Sequence, residues 1–238
     1  MYGSYDIPIS LESEGISLSL ERRDDAVVYR RQLGDESVEK LLLGGGGGSI
    51  VINPVEPLNL PRDLTPYLYL DFQRPVALGP KTSSTVFVTF PVEIGVFLQG
   101  HGEVEILDIF TLARQKYTLY GDPRNGILCR YWSTPVVAAT TAPCAARLHE
   151  GVMELKLINA TGVWVEVNKA VFSGYGMKLY YNDDLVGMKA EMEVTGATAA
   201  HTDFKDMSLK QHMTKSLELY TARKLVVLFP KFAMTDGI

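Results

Sequence analysis

The sequence predicts a mostly β protein: an antiparallel β-sandwich, built as one large or two packed β units, with at most one or two short helices. Three observations carry this. Apolar side chains alternate with a period of two in many short runs, turn residues separate the runs, and helical spacing is scarce.

The strongest run alternates Val86, Val88, Phe90, Val92, Ile94, Val96 and Leu98 with Thr85, Thr89, Glu93 and Gly95. Successive strand side chains point to opposite faces, so this pattern reads as one strand with a buried face. Pro91 has no amide hydrogen and predicts an edge position or a bend. The same period recurs at Leu68, Leu70 and Phe72, at Met153, Leu155 and Leu157, at Val163, Val165 and Val167, and at Met188, Ala190, Met192 and Val194. Asn125-Gly126 tolerates positive φ and its spacing predicts a hairpin. Asn159-Ala160-Thr161-Gly162 and Asn182-Asp183-Asp184 join further strand-like runs. Many short alternating runs with such turns imply a sandwich or barrel.

One short helix is expected over Ser208 to Tyr220, where Leu209, Met213, Leu217 and Tyr220 recur at helical spacing behind Asp206 or Ser208 as a cap. The rival reading starts a strand at Leu217. Leu225 to Phe229 reads as a buried strand closed by Pro230.

Gly44 to Gly48 is a glycine run before Ser49. A phosphate-cradling loop would need a lysine and Ser/Thr at fixed spacing before a helix, and Ser49-Ile50-Val51-Ile52 supplies neither lysine nor helix. A hairpin tip or linker, natural or engineered, fits better. Pro54, Pro57 and Pro61 then stiffen an extended connection. The expected division is an N-terminal β unit over 1–52, packed into or beside a main β-sandwich over 53–238.

The 238 residues are 46% hydrophobic and 21% charged, enough to bury a sizeable core. A net charge of −5 argues against broad nucleic-acid or anionic-membrane binding. Arg22-Arg23 and Arg30-Arg31 are short basic pairs, the first followed at once by Asp24-Asp25. The start, Met1-Tyr2-Gly3-Ser4-Tyr5-Asp6, lacks a basic and then apolar leader, and no run nears the roughly 18 uncharged apolar residues of a membrane span. The expected location is therefore the cytoplasm, without membrane insertion. Cys129 and Cys144 allow one disulfide at most, and both are expected to be reduced and buried.

Several blocks resemble a known family. They are Met1-Tyr2-Gly3 with Tyr5 and Pro8; Pro54-Val55-Glu56-Pro57 with Pro61; Phe90 through Val96; Asp108-Ile109-Phe110-Thr111-Leu112; Lys116 through Gly121; and Gly126 through Tyr131. On these the chain resembles an archaeal family known as domain of unknown function 432, from the first residues to about Asn159 and more weakly beyond. The resemblance implies no activity, substrate or catalytic residue. It implies a gene neighbourhood near mechanosensitive channels, hence an alternative role as regulatory partner of a membrane channel.

The segment richest in chemistry runs from Asp108 to Trp132. Lys116, Tyr117, Tyr120, Arg130 and Tyr131 flank the Gly121 to Gly126 turn, and cations fixed beside aromatic rings suit an anionic or planar ligand. Glu93, alone on an apolar strand, is the candidate counterion. Against this stands a structural network of edge tyrosines with Glu93 paired to a cation. His101, His149, His201 and His212 show no metal-ligand spacing, and His201 with Asp203 and Asp206 is the nearest to a cluster. Glu103 and Glu105 share a strand face while Asp108 takes the other, which reads as a wet face rather than a glycosidase pair. No metal and no cofactor is expected. The leading expectation is a non-enzymatic binding or interaction module with a small-molecule or partner site near 93–132. A homo-oligomer is expected because long strands leave edges that need partners. The alternative is an enzyme acting on an anionic small molecule at Lys116, Tyr120 and Arg130.

Overall fold

The structure is a computed structural model that describes residues 1–43, 48–100, 103–219 and 232–238. The β class stands: these residues form several packed, mainly antiparallel sheets. They fall into two compact units, 1–53 with 94–109, and 54–93 with 110–238. The 94–109 segment thus joins the N-terminal unit, although the sequence reading counted it in the main body. Among the described residues no helix is long and apolar enough to cross a membrane.

The first unit holds two four-stranded sheets. One runs in the order β1 (Gly3–Asp6), β6 (Ser49–Val55), β9 (Glu93–Gly100), β10 (Glu103–Phe110). The other is a meander of β2 (Ile9–Ser13), β3 (Ile16–Arg23), β4 (Ala26–Leu33) and β5 (Glu36–Leu43). Its hairpins turn at Glu14-Gly15, Asp24 and Gly34, all at positive φ, which short polar residues and glycine adopt most readily. Ile16, Leu18 and Leu20 on β3 and Val27 and Tyr29 on β4 are buried.

The second unit also pairs two sheets. The first has the order β11 (Tyr117–Tyr120), β12 (Ile127–Thr134), β7 (Tyr67–Leu78), β14 (Val165–Ser173). The second runs β18 (Thr214–Lys215), β15 (Tyr180–Tyr181), β16 (Val186–Val194), β13 (Glu150–Asn159), β8 (Ser83–Pro91). Strand β17 (Ala200–Lys205) also pairs β16, and β19 (Phe232–Met234) pairs β17. Most neighbours are antiparallel, but β12 with β7 and β13 with β16 are parallel. Phe172 of β14 stacks on Phe204 of β17 at 4.9 Å, and the Thr202 hydroxyl donates to the Val171 carbonyl, so the two sheets share one core. Each aliphatic side chain fully buried there contributes about 1.5–3 kcal/mol.

Four local expectations change. The 86–98 run is two strands, β8 and β9, in different sheets. The break falls at Val92, just after Pro91, where the missing amide interrupts the ladder. The helix expected from Ser208 is not formed over 208–218, which run as bends, a turn and β18. Leu209 sits over Gly187, where even a Cβ would lie 2.4 Å from its Cδ1, so its spacing serves a tertiary contact. The Asn125-Gly126 hairpin forms, but positive φ is at Gly121 instead. Cys129 is buried as expected, whereas Cys144 is exposed. Most of the glycine run, Tyr220, the expected 225–229 strand and His101 lie outside the described residues, and so does the side chain of Glu103.

One close approach in this core yields a prediction. Gly151 of β13 lies directly opposite Phe90 of β8, and a Cβ there would fall 2.3 Å from the ring. Phe90 is fully buried and has no route to solvent. Gly151→Ala is expected to cost about 1–3 kcal/mol through overpacking. Chemical denaturation reads the loss, and part of it should return with Phe90→Leu in the same chain.

Candidate functional site

Glu93, Lys116, Tyr117, Tyr120, Arg130 and Tyr131 sit in the second unit, and they separate there. Glu93 and Arg130 are both buried and both converge on the chain from Asn59 to Thr65. The Glu93 carboxylate accepts from the Asn59 amide at 3.0 Å, from the Asn59 side chain at 2.8 Å and from the Leu60 amide at 3.2 Å. The Asn59 side chain also donates to the Glu56 carbonyl at 2.8 Å, which knits the turn together. Arg130 works from the other side. Its guanidinium donates to the carbonyls of Leu60, Pro61 and Thr65 and to Oε1 of Gln115. One loop therefore has its amides held by a carboxylate and its carbonyls held by a guanidinium.

The charges act on each other as well. Burial pushes the Glu93 carboxyl up to about 7, while the Asn59 and Leu60 donors and the Arg130 charge pull it down. Glu93 is thus the counterion of Arg130 in the electrostatic sense, with the 59–61 backbone taking the direct hydrogen bonds.

Tyr117 opposes Arg130 across the β11–β12 ladder, and the guanidinium carbon lies 5.9 Å from its ring centroid. Its hydroxyl reaches the Leu60 carbonyl at 3.4 Å. Tyr120 points elsewhere, accepting from the Asp236 amide and donating to the Gly237 carbonyl. Tyr131 donates to Asp71 at 2.6 Å and stacks on Tyr69 at 6.0 Å. That hydrogen bond to a carboxylate pushes its phenol upward. Lys116 is exposed, and its backbone carbonyl accepts from the Tyr131 amide. Lys116, Tyr120 and Arg130 therefore do not converge on one point.

The other candidates are engaged too. Burial pushes the Cys129 thiol up to about 12, so it stays protonated at neutral pH. Asp203 pairs with Lys205, and Asp206 pairs with Lys215 and accepts from Tyr180. In the first unit Arg23 and Arg30 pair with Glu21, and Arg30 also holds Glu39. Arg31 is buried on Asp108 at 2.7 Å, and Tyr29 donates to the same carboxylate oxygen at 2.7 Å.

Sequence reasoning missed Asn59, Thr65 and Gln115, whose partners lie far along the chain. The lone charge of Glu93 in an apolar run was the available signal. It pointed to a buried partner without saying that the partner would be backbone.

The family described as protein of unknown function (DUF432) matches residues 1–235. No curated protein and no solved structure matches the chain.

Proposed function

We propose that this chain, which belongs to the DUF432 family, is a cytoplasmic, non-enzymatic interaction module that associates with a second copy of itself through exposed sheet edges. The observation that carries this reading is where apolar surface is left uncovered. Nine large apolar residues are exposed among those described, and five lie on or beside an edge strand. In the first unit β5 is an edge, and Leu41 and Leu43 on it are 62% and 79% exposed. In the second unit β11 is an edge, carrying Tyr117 and Leu119, with Leu128 of β12 directly opposite Leu119.

Edge strands present unpaired backbone groups, and monomeric proteins commonly protect them with lysine, proline or bulges. Leucines on one face of such an edge do the reverse, because an added strand satisfies the backbone and covers the side chains together. The buried charges support the non-enzymatic part. Arg130 and Glu93 direct their hydrogen bonds to the 59–65 segment and to Gln115 rather than toward solvent.

Sedimentation velocity at tens of micromolar tests the reading, with Leu41→Lys/Leu43→Lys and Leu119→Lys/Leu128→Lys as paired substitutions. The native chain is expected to sediment as a dimer or larger, and at least one pair should convert it to monomer with unchanged circular dichroism. A monomeric native chain, or an assembly indifferent to both pairs, overturns it.

A further inference from the structure

Glu56 is 3% exposed, at the start of the turn that Glu93 holds. Its Oε2 accepts from the Leu219 amide at 3.4 Å, and its Oε1 has no hydrogen-bond partner. The charges around it give no relief. Glu93 and Glu218 both act on it as like charges. The nearby cations are engaged by other groups. Lys178 holds Glu218 at 2.7 Å, Lys215 holds Asp206 at 2.7 Å and Glu218 at 3.4 Å, and Arg130 holds the 60–65 carbonyls.

A buried neutral carboxyl with one unsatisfied oxygen costs about 1–3 kcal/mol, whereas a buried carboxylate without a counter-charge costs several. The neutral acid is therefore the form that fits this place. Apart from Glu56, the segment it touches is held by a short strand pairing, by the ion pairs of Lys215 and Glu218 and by one backbone hydrogen bond. Strand β18 has two residues, Ser216 reaches the Leu179 carbonyl through its amide at 2.9 Å, and its buried hydroxyl has no hydrogen-bond partner.

We infer that Glu56 is a pH-sensitive latch: protonated, it keeps the 214–219 segment on the 56–60 turn, and ionised, it releases that segment. Burial supports this by pushing its carboxyl up to about 7 against the pull of its own amide and the Leu219 amide, with Glu218 and Glu93 adding to the rise. The sign follows. A carboxyl held high in the closed form and at its ordinary value in the open form binds more protons when closed. Closure is then fully favoured at low pH and weakens as pH rises through about 7.

Hydrogen exchange on the full chain tests it, comparing protection factors of the 54–61 and 214–219 amides at about pH 5.5 and about pH 8.5 after correction for intrinsic rates. Full solvation of the carboxyl on opening predicts a loss of protection of about thirtyfold between those conditions. Glu56→Gln, which cannot ionise, should keep the protection of the 214–219 amides nearly constant, while the Asn59 and Leu60 amides still respond to the ionisation of Glu93. Carbon NMR of the Glu56 carboxyl gives a second reading, with a titration midpoint near neutrality expected. Protection of the 214–219 amides that does not change with pH in the native chain, an undiminished change of those amides in Glu56→Gln, or a Glu56 carboxyl that titrates in the ordinary range overturns the latch.

Discussion

Replacing Asp108 by alanine is expected to cost the first unit about 3–5 kcal/mol, the range for removing one partner from a buried ion pair. Asp108 is 9% exposed and receives two hydrogen bonds of 2.7 Å on one oxygen, from the Tyr29 hydroxyl and from Nε of Arg31. Its other oxygen accepts from the Ile109 amide at 3.0 Å. Arg31 is 2% exposed, and once Asp108 is gone its buried Nε loses this partner while the exposed Glu36, 2.7 Å from Nη2, still pairs with the charge. Burial, with Asp108 adding to it, pushes the Tyr29 phenol upward, so Tyr29 remains a donor at every ordinary pH and also loses its acceptor. Asp108→Asn keeps an acceptor but not the charge and should cost less. Tyr29→Phe removes one neutral donor and should cost about 1 kcal/mol. Denaturant unfolding of the three variants, with amide exchange in β4 and β10 locating the loss, checks the order. An Asp108→Ala chain within about 1 kcal/mol of native stability would show that the pair contributes no more than an exposed one.

This pair marks the boundary of what local sequence reveals. Asp108 and Arg31 were both visible, one as a carboxylate opposite a wet face, the other as half of a basic doublet. Their partnership spans 77 residues, and no periodic pattern encodes such a distance. Period-two alternation was enough for β7, β13 and β16, because one face of each is buried and the side chains must obey the pleat. It failed at 86–98, where alternation continues across Val92 while the chain passes from one sheet to another. It failed again at 208–218, where Leu209, Met213 and Leu217 meet a helical spacing by coincidence and Leu209 fills the space above Gly187. The parallel pairing of β13 with β16 was equally hidden, since alternation is the same for either direction. In the candidate site, the sequence offered a cation, a carboxylate and several tyrosines. Their targets, the amides and carbonyls of residues 59–65, carry no side-chain signature.

Arg130→Met is the sharpest test of whether that site is architecture. The side chain is 2% exposed, and its removal leaves the Leu60, Pro61 and Thr65 carbonyls without this donor. It also removes the positive charge that opposes the rise of the Glu93 carboxyl. The expected cost is about 3–5 kcal/mol at neutral pH, and it should depend on pH in a defined direction. Glu93 already sits near 7 in the folded chain, above an ordinary carboxyl, so its contribution is complete at low pH and declines as pH rises. Without Arg130 it moves higher still, and ionised Glu93 becomes harder to keep inside. The variant should therefore lie closest to native stability under mildly acidic conditions and diverge as pH passes through neutrality. Arg130→Lys keeps the charge but not the planar fork, so it should restore the pH profile while recovering only part of the stability. A residue kept for an anionic ligand would behave in the opposite way. Its loss would leave the free protein as stable as before, or more so, because a buried charge had been removed with nothing depending on it. Melting temperatures of the three chains across the neutral range separate these outcomes, since only an architectural Arg130 ties the size of the loss to the ionisation of Glu93.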